Sequence, residues 1–208
     1  MQTFTLRELA DKFGVSIKRI RRWSQAVLPP DPIARKQAGI ARKYSLTDAW
    51  RLWIIGHCVS VFPVTLAEAG QIFSDLYPWM QARGLTPDDS IFLDLFSVSI
   101  YRAESIGTSQ NILPAQSFIY KWKKTIQPPH QEGVESSVIV ERYQEGFVGK
   151  TSRKIVEEGW KLQAETPYIL QLHIILGFFR TLMFREPVDK AVLCSIFRIG
   201  GSYGREGE

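Results

Sequence analysis

Apolar positions recur at helical spacing near the start of the chain. The stretch TLRELADKF (5–13) opens with a capping-box pattern and then places its apolar residues three or four positions apart, which predicts a short first helix. Gly14 predicts the end of that helix, because glycine readily adopts the left-handed conformation found there. Ser16 predicts the N-cap of a second helix.

The second helix is amphipathic, and its polar side is basic. Ile17, Ile20 and Trp23 fall on one face at 100° per residue and are predicted to be buried. The four basic residues of the helix lie off this face, two of them opposite it and two on its flanks: Lys18 and Arg22, then Arg19 and Arg21. A helix, a short turn and a second helix with a basic outer face predict a helix-turn-helix element.

Proline and glycine then mark the next elements. Pro29 and Pro30 predict the end of the second helix. Residues 33–44 (IARKQAGIARKY) have a glycine between two short basic arms, which predicts a small β-hairpin, or wing. Further helices are predicted from Ser45 and from Thr65, with Trp50 and Trp53 in the core.

The pattern changes after GLTPDD (84–89), which is the best candidate for a domain boundary. Strands are predicted at 92–101, 117–122, 137–143 and 191–199, and a helix is predicted at 152–164. The apolar run 168–184 fits a buried helix or a strand, and its length favours a helix. The predicted fold is an N-terminal all-α winged helix-turn-helix domain with a small β wing, residues 1–85, and a C-terminal α+β domain, residues 86–208. The second domain is predicted to serve oligomerisation, sensing or partner binding.

Charge adds a functional indication to this organisation. The net charge is +5, but residues 1–85 hold 12 Lys/Arg against 6 Asp/Glu, and residues 86–208 hold 14 against 15. From Lys18 to Lys43 there are eight basic residues and one acidic residue, Asp31. Such a concentration of positive charge in one half of the chain favours a phosphate-bearing partner.

The motifs in the first half carry a family resemblance. Gly-Val-Ser (14–16), Ile-Arg-Arg-Trp (20–23), Leu-Pro-Pro (28–30), Arg-Lys-Tyr-Ser (42–45) and FPVTLAEAG (62–70) occur in an order and at spacings that resemble the DNA-binding domain of MerR-type transcription regulators. The resemblance covers about residues 3–83. Excisionases and the small subunits of phage terminases share this winged-helix unit, so it implies a DNA-binding fold more firmly than one biological role.

The resemblance implies a set of DNA-binding residues. It places the second helix in the major groove, with Lys18, Arg19 and Arg22 at base edges or phosphates and Arg21 on the backbone. Arg42 and Tyr44 match the family's Arg-x-Tyr pair in the wing. The predicted DNA-binding residues are Ser16, Lys18, Arg19, Arg21, Arg22, Arg35, Lys36, Arg42, Lys43 and Tyr44.

Two departures limit what the resemblance implies. MerR regulators continue into a long antiparallel dimerisation helix, whereas here Pro78, Gly84 and Pro87 interrupt the chain and no heptad pattern follows. The cysteines of the metal-sensing members have no counterpart, because Cys58 and Cys194 form no spacing motif and are predicted to be buried free thiols.

The remaining patterns exclude more than they assign. Hydrolase, P-loop and dinucleotide signatures are absent, so we predict no catalytic residue, no cofactor and no metal site. His57 and His173 lie in apolar runs and are predicted to be core histidines. Carboxylates and aromatics around 141–160 could form a pocket for a cationic effector, but cross-strand pairing and core packing explain them more simply. A charged N-terminus and no membrane-length apolar run predict a cytoplasmic, nucleoid-associated protein.

We therefore expect a sequence-specific protein that binds double-stranded DNA, a MerR-like transcriptional regulator with an atypical C-terminal domain. We also expect a homodimer formed through that domain, because such regulators read two half-sites. The alternative is an architectural or assembly protein of a phage or mobile element, excisionase-like or terminase-like, that recruits a protein partner to DNA. A small-molecule effector bound by residues 86–208 is a third hypothesis.

Overall fold

The computed structural model describes residues 2–31, 41–87, 95–104, 117–126, 142–149, 161–162 and 167–184. The chain divides into two compact units, Met1–Asp89 with Leu176–Glu208, and Ser90–Ile175. The first unit therefore combines two parts of the chain that are far apart in sequence. The predicted boundary at residue 85 lies near the first junction between the units, whereas the sequence pattern does not predict the return of the chain at Leu176.

The described residues in the N-terminal part of the first unit form four helices and a two-stranded sheet. They are β1 (Thr3–Phe4), α1 (Leu6–Phe13), α2 (Ile17–Val27), β2 (Tyr44–Ser45), α3 (Leu46–Val61) and α4 (Leu66–Gln81). Strands β1 and β2 pair antiparallel, with Phe4 opposite Tyr44. The four helices predicted here are confirmed, whereas most of the predicted hairpin (33–44) lies outside the described residues, and Tyr44 pairs with the N-terminal strand.

Local capping chemistry explains where these helices begin. Thr5, Ser45 and Thr65 each accept a hydrogen bond from the backbone N–H three residues later, and the acidic side chain at that later position accepts one from the cap residue's N–H. Gly14 ends α1 with φ 65°, in the left-handed region. Each of these signals involves residues close together in sequence, which is why the pattern of the chain predicts them.

The core of the first unit includes the end of a distant helix. Helix α5 (Leu172–Phe184) starts in the second unit, and its residues from Leu176 onward belong to the first. Phe179 is fully buried, and its ring centroid lies 5.0 Å from that of Trp50 and 6.4 Å from those of Phe13 and Trp53. The C-terminal segment is thus part of the aromatic core of the helix-turn-helix unit.

Lys12 fixes the same segment from the polar side. Its Nζ donates hydrogen bonds to the backbone oxygens of Leu182 (3.0 Å) and Met183 (3.4 Å). These carbonyls belong to the last turn of α5, where helical hydrogen bonding leaves oxygens unsatisfied and a cation is electrostatically favoured. Lys12 therefore caps α5 from α1.

The second unit contains an antiparallel five-stranded sheet. Its strands are β3 (Leu95–Glu104), β4 (Ser117–Ile126), β5 (Arg142–Phe147), β6 (Lys161–Leu162) and β7 (Tyr168–Gln171). The order is β5-β4-β3-β6, and β7 also pairs with β3. Together with the start of α5, this sheet confirms the predicted α+β fold of the C-terminal region.

Alternation along β3 places its even-numbered side chains on the buried face. Val98 and Ile100 are fully buried, and Val98 lies between Trp122 of β4 and Leu170 of β7. On the other face Ile119 is buried, with Tyr101 and Phe147 packed against it. Glu145 pairs with Lys121 across the strands at 2.8 Å. For Glu145 and Phe147, cross-strand pairing and packing are therefore observed, and the other acidic residues of the suggested cationic pocket lie outside the described residues.

Two secondary-structure predictions for this region are corrected. The length of the run 168–184 favours a helix over a strand, but Tyr168–Gln171 forms strand β7, because this segment pairs with β3, and the helix begins only at Leu172. Lys161–Leu162 falls within the predicted helix 152–164 and is instead strand β6. The rest of that helix, the strand at 191–199 and most of the strand at 137–143 lie outside the described residues.

A membrane-crossing helix would need a longer apolar run than any helix in the described part of the chain provides.

Candidate nucleic-acid interface

The second helix of the helix-turn-helix, α2, begins at a well-defined turn. The N–H of Val15 donates to the oxygen of Ala10 (3.1 Å), and the Oγ of Ser16 accepts from the N–H of Arg19 (3.3 Å). Ser16 is thus the N-cap of α2, as predicted. Its side chain is exposed at the N-terminal end of the helix.

The inner face of α2 is seated in the core of the unit. Ile20 and Trp23 are buried, as predicted. A Cβ added to Gly56 of α3 would lie 2.5 Å from two ring carbons of Trp23, and one added to Gly70 of α4 would lie 3.2 Å from Val27. The two glycines leave the room that Trp23 and Val27 occupy, so α2 lies close against α3 and α4.

Ile17 departs from the prediction, because its side chain is 37% exposed. It occupies the first position of α2, where the helix has only begun to pack against the core. The same periodicity that correctly assigned Ile20 and Trp23 does not report how far the neighbouring helices extend along α2.

The outer surface of α2 carries four exposed basic side chains: Lys18, Arg19, Arg21 and Arg22. The helix contains no acidic residue that could neutralise them within its own turns. Because Ile20, Trp23 and Ser24 are buried on the opposite side, the basic side chains project away from the core of the unit. The result is a cationic helix surface of the type that phosphates attract.

Arg42 and Tyr44, at the end of the predicted wing, are less exposed than the basic side chains of α2. Arg42 is half-buried and donates from Nη1 to the backbone oxygen of Pro29 at 2.8 Å. Tyr44 is 4% exposed, and its hydroxyl lies 3.0 Å from the Oγ of Ser24. These contacts hold both side chains within the protein, which does not favour the predicted direct contact of Tyr44 with DNA. Lys43 between them is exposed.

Lys43 also lies near the start of α1. The pKa of Glu8 is below its usual value, chiefly because of hydrogen bonds from Thr5 and to a smaller extent because of the charges of Lys43 and Lys12. The remaining predicted residues, Arg35 and Lys36, lie outside the described residues. The structure therefore groups the basic residues on the outer surface of α2. Tyr44 contacts the inner side of that helix, at Ser24, and Arg42 contacts Pro29, which follows the helix.

Three supporting residues had no signal in the sequence pattern. Ser24 is buried on α2 and pairs with Tyr44. Arg51 of α3 lies over the ring of Phe73 (4.9 Å) and donates to the oxygen of Val27 (3.5 Å), near the end of α2. Lys12 caps α5. Each acts through a contact with a residue distant in sequence, which periodicity cannot report.

The described residues contain no group of His, Cys, Asp and Glu side chains that could hold a metal ion. Cys58 is a buried free thiol, as predicted, and burial raises its pKa to about 12. His173 is half-buried, with Nδ1 3.1 Å from the oxygen of Phe96.

Comparison with known proteins identifies the class of the first unit. The family model described as MerR HTH family regulatory protein matches residues 4–76, about a third of the chain. The match confirms the resemblance of these residues to a MerR-type helix-turn-helix domain, and it does not extend into the C-terminal half. No curated protein and no solved structure matches the chain significantly.

Proposed function

We propose that this protein binds double-stranded DNA sequence-specifically and regulates transcription in the manner of MerR-type proteins. The observation that carries the proposal is the placement of α2, whose inner face is buried in the core while Lys18, Arg19, Arg21 and Arg22 are all exposed on its outer surface. The family match supports the same function, because it covers the whole helix-turn-helix.

Each exposed basic residue has a proposed role on DNA. Helix α2 enters the major groove, where Arg19 and Arg22 can donate two hydrogen bonds to guanine and Lys18 can neutralise a phosphate or contact a base. Arg21, on the flank, contacts the backbone. Ser16 presents the N-terminal end of α2 to a phosphate, and Lys43 neutralises a further phosphate. The family resemblance adds Arg35 and Lys36 to the proposed phosphate contacts.

The functional unit proposed here is a homodimer on two half-sites. A single helix reads only a few base pairs, and two copies related by a two-fold axis read a palindrome with half-sites separated by about one helical turn or a multiple of it. Residues 86–208 are proposed to form the dimer, because the chain lacks the heptad pattern of a coiled coil.

Selection of bound duplexes from a random pool, with measurement of stoichiometry, tests this proposal. The expected result is enrichment of a palindromic site that binds two chains. Failure of the full-length protein to enrich any sequence would contradict sequence-specific binding. Enrichment of one asymmetric site that binds a single chain would contradict the dimer while leaving DNA binding intact.

A further inference from the structure

A buried pair of hydroxyl groups connects α2 to strand β2. Ser24 and Tyr44 are each 4% exposed, and their oxygens lie 3.0 Å apart, so one donates to the other. Ser24 is next to Trp23, on the side of α2 that faces the core. The hydrogen bond therefore joins the inner side of the basic helix to the strand that follows the predicted wing.

Arg42 adds a second connection just beyond the C-terminal end of α2, the same end at which Ser24 lies. Its Nη1 donates to the oxygen of Pro29 at 2.8 Å, and its guanidinium carbon lies 5.3 Å from the centroid of the Tyr44 ring. Pro29 follows α2 and Arg42 precedes β2, so this bond joins the two ends of the chain that spans residues 30–41. The cation over the aromatic ring couples this bond to the hydroxyl pair.

Strand β2 is itself a fixed support. It pairs with β1, and its second residue, Ser45, is the N-cap of α3. If either hydroxyl of the Ser24–Tyr44 pair were removed, the other would remain buried without this partner, which costs more than the bond itself contributes. Because both hydroxyl groups are buried, breaking their hydrogen bond would leave them without water as a replacement partner. This bond therefore favours one orientation of α2 relative to β2.

We infer that Ser24, Tyr44 and Arg42 form a positioning cluster that sets the orientation of α2 and of the chain entering and leaving the predicted wing. This inference rests on the proposed function. Tyr44 and Arg42 then affect DNA recognition through the position of α2, and not through contacts of their own with DNA. The basic residues on the outer surface of α2 make those contacts, and the cluster determines which bases they reach.

A double-mutant cycle on DNA affinity tests the role of the hydroxyl pair. The proteins are the wild type, Ser24→Ala, Tyr44→Phe and the double variant, and the probes are the duplex selected by the wild type and a scrambled duplex. Each single variant is expected to weaken binding to the selected duplex by about threefold to tenfold and to bind the scrambled duplex nearly unchanged. The double variant is expected to be no weaker than the weaker single variant, because both changes remove the same bond.

Independent effects would overturn the inference. If Tyr44→Phe weakens binding equally with Ser24 present and absent, the Tyr44 hydroxyl contacts DNA directly. If neither single variant changes the preference for the selected duplex, the cluster does not position α2. Circular dichroism measures whether each variant is folded, and titration with DNA measures the fraction of protein that can bind. If the hydroxyl pair only stabilised the fold, the affinity of the folded fraction would be unchanged.

The salt dependence of binding separates the role of Arg42 from that of the exposed residues. Arg42→Gln is expected to reduce discrimination between the two duplexes with no change in the slope of log affinity against log salt concentration. Arg21→Gln, at the residue proposed to contact the DNA backbone, is expected to reduce the magnitude of that slope by about 0.9, the value for one lost phosphate contact. A reduced slope for Arg42→Gln would show a direct phosphate contact and overturn the inference for this residue. Salt-independent binding by the wild type would instead contradict the proposed function.

Discussion

At the scale of single residues, His57 shows how burial alone sets a chemical property. It lies on α3 with its ring near that of Phe62, and its Nδ1 is buried without a hydrogen-bond partner among the described residues. Burial lowers the pKa of His57 to about 4. The folded protein therefore keeps this imidazole neutral at pH values where an unfolded chain would protonate it.

We predict that His57 makes the protein less stable in mild acid. Between pH 6.5 and 4 the unfolded state binds more protons at this residue than the folded state, so the free energy of unfolding falls as the pH falls. The loss between pH 7 and pH 5 is expected to be about 2 kcal/mol, measured by urea unfolding. His57→Phe should lack this part of the pH dependence, and an identical loss in the variant would assign the effect elsewhere. Asp and Glu contribute mainly below this range.

Residue roles on α2 could be predicted only in part. Period 3.6 correctly separated Ile20 and Trp23 from the basic side chains, because the direction of a helical side chain follows from its position in sequence. It assigned Ile17 to the core wrongly, since burial also depends on which neighbour covers that part of the helix. Tyr44 shows the same limit: its bond to Ser24 depends on a contact across the fold.

At the scale of elements, helix α5 has two adjacent phenylalanines, of which one is buried and the other is exposed to solvent. Phe179 is fully buried among Phe13, Trp50 and Trp53, whereas Phe178 is 36% exposed. The two residues have the same side chain in the same helix, so helix propensity changes equally when either is replaced by alanine. A difference between the two substitutions therefore measures the packing of α5 against the helix-turn-helix core.

We predict that Phe179→Ala lowers the free energy of unfolding by about 3–5 kcal/mol, through lost burial and the cavity that remains. Phe178→Ala should cost about 1 kcal/mol or less, because its ring already contacts solvent. Urea unfolding followed by tryptophan fluorescence measures both. Equal effects of the two substitutions would contradict the placement of α5 in this core.

The sequence predicts some elements better than others. The difference follows from how far apart in sequence the residues lie whose contacts form each element. The starts of α1 to α4 follow from N-cap residues, and the end of α1 follows from a left-handed glycine; these signals act within a few residues. In contrast, β7 forms because Tyr168–Gln171 pairs with β3, about 70 residues earlier, and Lys12 caps α5 from a position 170 residues away. Such contacts leave no periodic signal near either partner.

At the scale of the whole molecule, charge distribution and fold support one account. The positive excess lies in residues 1–85, and within them the four exposed basic residues of α2 form its outer surface. The helix-turn-helix region could be predicted because its motifs are local and ordered. The contribution of the C-terminal segment to the same unit could not, because the chain leaves the unit near Asp89 and returns at Leu176.

Duplex binding by a charge-reversal variant, measured at several salt concentrations, tests the central claim most directly. Lys18→Glu with Arg22→Glu should weaken binding by about a hundredfold or more without unfolding, because two phosphate-attracting groups on α2 become repulsive. Lys123→Glu with Lys124→Glu on β4 changes the net charge equally and should retain binding. Wild-type affinity should fall steeply with salt. Binding that is independent of salt, or that survives the change on α2, would contradict the account.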